Sequence, residues 1–117
     1  MLGDNQGCPG WCVLILKDHH EHLGELPLDR QQRLWGDVAQ VAAAQRAVFG
    51  RVRINYECLG NVVPHIHWHL IPRHHDDPEP KSPVWGWPME RLRGTAAASE
   101  RLETARRIRV ALNDLHV

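Results

Sequence analysis

The sequence has no excess of charge of either sign, no long apolar run and no even set of cysteines. Lys+Arg and Asp+Glu both total 14, so there is no global field to draw in nucleic acid or an anionic membrane, and a polyanionic ligand has to be held locally. The longest apolar runs, such as Cys12–Leu16, fall far short of a membrane span. The first residues lack the basic-then-apolar order of a signal peptide, so the expectation is a soluble cytosolic protein. Cys8, Cys12 and Cys58 are an odd number at no disulfide-framework spacing, which fits a reducing compartment. Cys8-x-x-x-Cys12 is wider than the usual zinc Cys-x-x-Cys, and neither a metal nor a cofactor is expected. There is no internal repeat or low-complexity tract. At 117 residues, a single domain over 1–117 is expected, burying roughly two-thirds of the unfolded surface.

What is abundant is histidine. Nine are present, grouped at 19–22, 65–69 and 74–75, with the last at 116. Trp11–Lys17 is rich in strand formers and delivers the first group at its end. Asp29, with Gln32 three residues on, reads as a helix cap. Leu34, Val38, Val41 and Val48 then recur at helical spacing up to Gly50. Arg51–Cys58 alternates as a half-buried strand with Val52, Ile54 and Tyr56 inward, and Gly60 makes a turn. The next strand is expected over Pro64–Pro72, with Ile66, Trp68 and Leu70 on one face and His65, His67 and His69 on the other. Residues 74–94, with four Pro, two Trp, two His and two Asp, read as an irregular loop. A helix over about 96–115 carries the stripe Leu102, Ala105, Ile108, Leu112 and Leu115. The connection between the two strongest strands is too short for a crossover, so they pair antiparallel. The fold class is α+β, an antiparallel sheet with two helices, and the motif core is 51–73.

Successive residues on one strand face lie about 6.6 Å apart, so His65 and His69 are separated by about 13 Å. One ion with bonds near 2 Å cannot easily take all three, whereas an extended phosphate chain can run along them. Imidazole is partly neutral at pH 7 and attacks phosphorus without a separate base, giving a phosphoramidate. His67, flanked by a histidine on each side, is the best placed. Gly60 lets backbone N–H groups approach phosphate, and Asn61 offers an amide. His19, His20 and His22 read mainly as solvated surface with one member at most entering the site. His74 and His75 read as loop residues. Trp85 and Trp87 suit either a purine-stacking flap or a partner contact, and Trp35 and Trp68 suit packing.

His65-Ile-His-Trp-His-Leu-Ile71 resembles the His-φ-His-φ-His-φ-φ signature of the histidine-triad (HIT) superfamily, φ being hydrophobic. The flanks Asn55–Pro64 and Ile71–Arg73 are similar to small bacterial HIT proteins described as diadenosine polyphosphate hydrolase-like, and Leu14–His19 resembles the family's first block. The resemblance covers roughly residues 4–75. It implies a homodimer that cleaves a nucleotide conjugate at the α-phosphate, with His67 as nucleophile, His69 at the phosphate or leaving group and His65 in support. His19 matches the family's fourth histidine, with His20 as the alternative, and Asn55 and Asn61 match phosphate-binding positions. Val62 stands where many members have Ser or Thr, so only its backbone N–H serves phosphate. Two other functions stay open: a nucleotide-binding module with little turnover, and a metal-binding protein.

Overall fold

A computed structural model describes residues 1–115, and His116 lies outside them. Three strands, β1 (Cys12–Ile15), β2 (Arg53–Glu57) and β3 (His67–Arg73), form an antiparallel sheet in the order β1-β3-β2. Helix α1 (Leu28–Phe49) joins β1 to β2, and α2 (Met89–Arg93) and α3 (Ala98–Asp114) follow β3. The antiparallel α+β arrangement expected from the short β2–β3 connection is the one observed. The N-terminal residues cover the outer edge of β1, with Val13 N–H donating to the Met1 carbonyl and Gly3 N–H to that of Trp11, both at 2.8 Å.

The alternation on β3 divides the molecule. Ile66, Trp68 and Leu70 face α1 and α3 and join Val38, Ala42, Ala44, Ile54 and Ile108 in the main core. Each fully buried Leu or Ile contributes about 1.5–3 kcal/mol. Helix α1 buries one polar residue among these, Gln45, whose amide donates at 2.8 Å to the carbonyls of Gly10 and Leu70. It thereby satisfies a β3 carbonyl at the rung where β1 pairing stops, Cys12↔Leu70. Gly10 has φ +91°, and a Cβ there would run into the Phe49 ring, so this turn admits only glycine.

Several boundaries differ from expectation. The strand does not stop at Pro72: Pro72 pairs with Ile54 inside β3, past the last β1 rung, where its missing N–H costs no bond to β1. β3 starts at His67, so His65 sits in the extended approach to it. β1 is shorter than Trp11–Lys17 because only Cys12–Ile15 pair with β3. Helix α1 starts one residue before Asp29, at Leu28 behind Pro27. No side chain caps it, and Asp29 in its first turn pairs with Arg33 instead. Tyr56 and Trp35, read as packed, are 48% and 60% exposed, although Trp35 meets Trp68 edge to face at 5.6 Å. Leu102 and Leu115 are also exposed, leaving Ile108 as the buried member of the α3 stripe.

The largest difference is at 74–94, which folds back on the histidine face of the sheet. A 3-10 turn (Val84–Gly86) and α2 bury Val84, Trp87 and Leu92 with Cys8, Trp11 and Ile71 in a second core. Burial pushes the Cys8 thiol up to about 11, so it is inert at neutral pH. Arg73 clamps the segment. Its guanidinium binds both Asp77 carboxylate oxygens, the Glu79 carbonyl at 2.7 Å and the Asn55 amide oxygen at 2.8 Å, and lies 5.5 Å over the Trp87 ring. The Arg73 and Asp77 side chains are 4% and 2% exposed.

Arg73→Met should therefore leave the Asp77 charge buried without a cationic partner and cost about 3–5 kcal/mol in urea unfolding. Burial pushes the Asp77 carboxyl up, but the Arg73 and Glu79 hydrogen bonds outweigh it and hold it below the usual range. A carboxyl lowered on folding adds stability above its unfolded value and loses it as pH falls through the folded one. The cost of Arg73→Met should thus shrink below about pH 4; a cost unchanged at that pH would contradict the ion pair.

Candidate active site

His67 and His69 are carried by β3 on the face opposite the helices, and the β1 register sets Ile15 beside His67 and Val13 beside His69. On the other side Glu57 of β2 is the partner of His69. Hydrogen bonds decide which nitrogen of each ring holds a proton. A carbonyl only accepts, so His67 Nδ1, 2.7 Å from the His65 carbonyl, donates to it, and the neutral ring is bare at Nε2. His65 Nε2 likewise donates to the Leu16 carbonyl at 2.7 Å. Its Nδ1 therefore accepts, and His19 Nδ1 stands 3.2 Å from it with the two rings stacked at 5.2 Å and 8°.

His69 is held by an indole. Trp11 Nε1–H points at His69 Nδ1 at 3.1 Å, and the rings meet edge to face at 5.7 Å. Trp85 packs edge to face on both Trp11, at 5.4 Å, and His69, at 5.0 Å, and donates its own N–H to Glu57 at 2.7 Å. Burial, and then the charge of His67, lower the pKa of His69. The His67 and His69 rings lie 5.2 Å apart at 79°. Two unlike nitrogens thus stand side by side, a bare Nε2 on His67 and a neutral His69 beside it, which suits attack on an electrophile flanked by an oxygen needing stabilisation.

The structure brings His19, His65, His67 and His69 into one contiguous set. It favours His19 over His20, whose Nδ1 turns to Glu25 at 3.1 Å. Asn55 lies on the histidine face but opposite Ile71, with its amide oxygen taken by Arg73. Gly60, Asn61 and Val62 stand exposed in the β2–β3 connection, Val62 at 91%. Gly60 has no positive φ and open space around a built Cβ, so room for an approaching oxygen is there but glycine is not demanded. His74 donates to the Pro9 carbonyl at 2.7 Å with its ring on Phe49, away from the row. Trp87 is buried in the second core and cannot act as a flap. Among the described residues no group of three or more His, Cys, Asp or Glu is arranged to hold a metal ion.

Sequence reading missed Trp11, Glu57 and the role of Trp85. Trp11 has one signal in hindsight: it precedes Val13 and Ile15 at strand spacing, and those two pair with the histidine face.

Residues 2–76, well over half of the chain, match the HIT domain family model. The chain belongs to the HIT family. Its fold is similar to a histidine triad protein from Sinorhizobium meliloti at 29% identity and TM-score 0.81, covering 94% of this chain and 79% of that one. A histidine triad protein from Marinobacter aquaeolei is similar at 27% identity and TM-score 0.80, over 97% and 81% of the two chains. One from Bradyrhizobium japonicum shares the fold at 23% identity and TM-score 0.84, over 95% and 81%. No curated protein matches the chain. Among the described residues of this HIT protein, no helix is long and apolar enough to cross a membrane.

A histidine whose pKa falls on folding makes the unfolded state bind more protons, so stability rises with pH between the folded and unfolded values. His69→Gln should remove that contribution. Thermal unfolding of the wild type should weaken more than that of the variant between about pH 8 and about pH 5.5, and parallel losses would show that His69 is not held neutral.

Proposed function

We propose that this HIT protein is a nucleotidyl hydrolase or transferase that cleaves a nucleotide conjugate at the α-phosphate through a nucleotidyl-His67 intermediate. The observation that carries this reading is the hydrogen bond from His67 Nδ1 to the His65 carbonyl, because it leaves the Nε2 lone pair free without any base to remove a proton. The Nε2 lone pair attacks phosphorus, the bond to the leaving group breaks, and water or another acceptor then takes the nucleotidyl group from the ring. His69 serves the phosphate or the leaving group. His65 supports His67 through its backbone carbonyl and is itself braced by Leu16 and His19. The phosphate chain is held by backbone N–H groups of Gly60, Asn61 and Val62, with the Asn61 amide and Asn55 on its flank and no resident cofactor taking part. A dinucleoside polyphosphate or a nucleoside phosphoramidate has the required bond. The acting form is a cytosolic homodimer, as the family resemblance implies.

The second reading is a binding module with little turnover. It is favoured by the exposed, hydroxyl-free Val62 and by the description of a fold relative from Sulfolobus tokodaii, 20% identical, as a hypothetical histidine triad nucleotide-binding protein.

Incubation with a panel of dinucleoside polyphosphates and adenosine phosphoramidates should release mononucleotide. His67→Ala should lower the rate by at least about 10⁴-fold, as loss of a covalent nucleophile does. Turnover that survives in His67→Ala refutes the nucleophile. A thermal shift with adenosine monophosphate but no turnover on any conjugate selects the binding module.

A further inference from the structure

We propose that Trp11 is a positioning residue: by donating its indole N–H to His69 Nδ1 it fixes the proton of His69 on Nε2 and makes His69 a neutral hydrogen-bond donor rather than a proton-delivering acid. This rests on the reading of His67 as nucleophile. An indole N–H only donates, so the nitrogen it meets at 3.1 Å has to be a lone pair. An imidazolium at His69 would set its Nδ1–H against the Trp11 N–H. A neutral ring, in turn, gives up its Nε2 proton fully only if Nδ1 takes another, and Nδ1 is occupied.

The surroundings of His69 hold the same state. Trp11 is 1% exposed and packs edge to face on both His69 and Trp85, which also touch each other, so the donor cannot swing away. The titratable groups facing His69 are His67 on its own strand and Glu57 on β2. Glu57, the one group able to favour a charged His69, has its carboxylate engaged by the Trp85 N–H at 2.7 Å. From β1 the partner is Val13, and the 74–94 segment offers the apolar edge of Trp85. A neutral histidine acting as an electrophile is an established catalytic device.

The consequence concerns the leaving group. His67 Nε2 forms a bond to phosphorus, the bond from phosphorus to the leaving oxygen breaks, and its electron pair departs with that oxygen. His69 donates a hydrogen bond to the oxygen and keeps its proton. Such a site favours a group that leaves as an oxyanion, such as a phosphoryl or acidic phenolic oxygen, over an amine that has to be protonated to leave.

Two measurements on the full chain test this. Nitrogen-15 spectra of histidine-labelled protein at neutral pH should show His69 as the Nε2–H tautomer; the Nδ1–H form or an imidazolium overturns the proposal without reference to activity. Kinetics then compare adenosine monophosphate joined to an acidic phenol with the same nucleotide joined to an alkylamine. For the phenol conjugate, kcat/KM should rise to a plateau between about pH 6 and about pH 9, with no alkaline fall, because no acid is consumed. An alkaline fall in the wild type overturns the proposal. Trp11→Phe keeps the apolar wedge but frees Nδ1. It should mix the tautomers, lower phenol-conjugate kcat/KM about three- to tenfold, less than outright loss of a donor, and narrow the preference over the amine. A variant that loses rate equally on both conjugates with the His69 spectrum unchanged shows a packing role only and overturns the proposal. Should Trp11→Phe not fold, the wild-type spectrum and pH profile decide the matter alone. No turnover on either conjugate with the Nε2–H tautomer in place refutes the hydrolase reading and upholds the tautomer.

Discussion

The central position of β3 is the constraint on which the other elements depend. Paired on both sides, its backbone is fixed along its length and its side chains have only two places to go. Trp68 and Leu70 go into the helix-covered core, so His67 and His69 are driven to the other face. A slip of one residue would put imidazoles among Val38, Ala42 and Ile54, a cost no alternative pairing could offset. The same burial that stabilises the sheet therefore sets the spacing of the catalytic candidates. Gln45 completes the arrangement from the helix side by closing on the Leu70 carbonyl, where β1 can no longer do so.

A sheet with helices on one face alone would leave the histidine face fully wet. Here it is wet only at one end. Beyond His69 the face continues as Ile71 and Arg73, and the 74–94 segment comes back to cover them. Arg73 is buried because four hydrogen bonds from its guanidinium find acceptors in Asp77, Glu79 and Asn55, with the Trp87 ring against its plane. That clamp fixes where the segment starts its return, and the return sets Trp85 against His69 and Trp11. Desolvation of His69 is thus a product of packing some distance along the chain. Close packing at the C-terminal end of α2 enforces it further: a Cβ on Gly7 would strike the Arg91 carbonyl.

The parts of the structure that obey a local period were legible in the sequence. The alternation of Ile66, Trp68 and Leu70 against the histidines, the helical recurrence of Leu34 and Val38, and the short β2–β3 connection each follow from neighbours within a few residues. Features that depend on distant partners were not. Pro72 reads as a strand end because nothing local shows that β1 has already stopped. Residues 74–94 read as a loop because Pro and Gly speak for turns, while the burial of Val84 and Trp87 comes from the sheet face awaiting them. Trp11 looks like one more strand residue, and only the pairing of Val13 with His69 reveals that it faces the site. Asn55 reads as a free amide, yet a buried guanidinium 18 positions away takes its oxygen.

The four histidines are chemically distinct although their side chains are identical, and the distinction is made by groups with only one possible role. A carbonyl can only accept and an indole can only donate. The carbonyls of Leu16 and His65 place protons on His65 Nε2 and His67 Nδ1, while the indole of Trp11 keeps one off His69 Nδ1. Neighbouring members of the row are therefore set in opposite senses: His67 bears its lone pair on the nitrogen where His69 bears its proton. Had the backbone and Trp11 left either ring free to choose, its two neutral tautomers would compete, and only a fraction of molecules would hold the productive pair. Fixed partners remove that competition before any ligand arrives, so the sequence between the histidines, and the tryptophan just before the neighbouring strand, matter as much as the row itself.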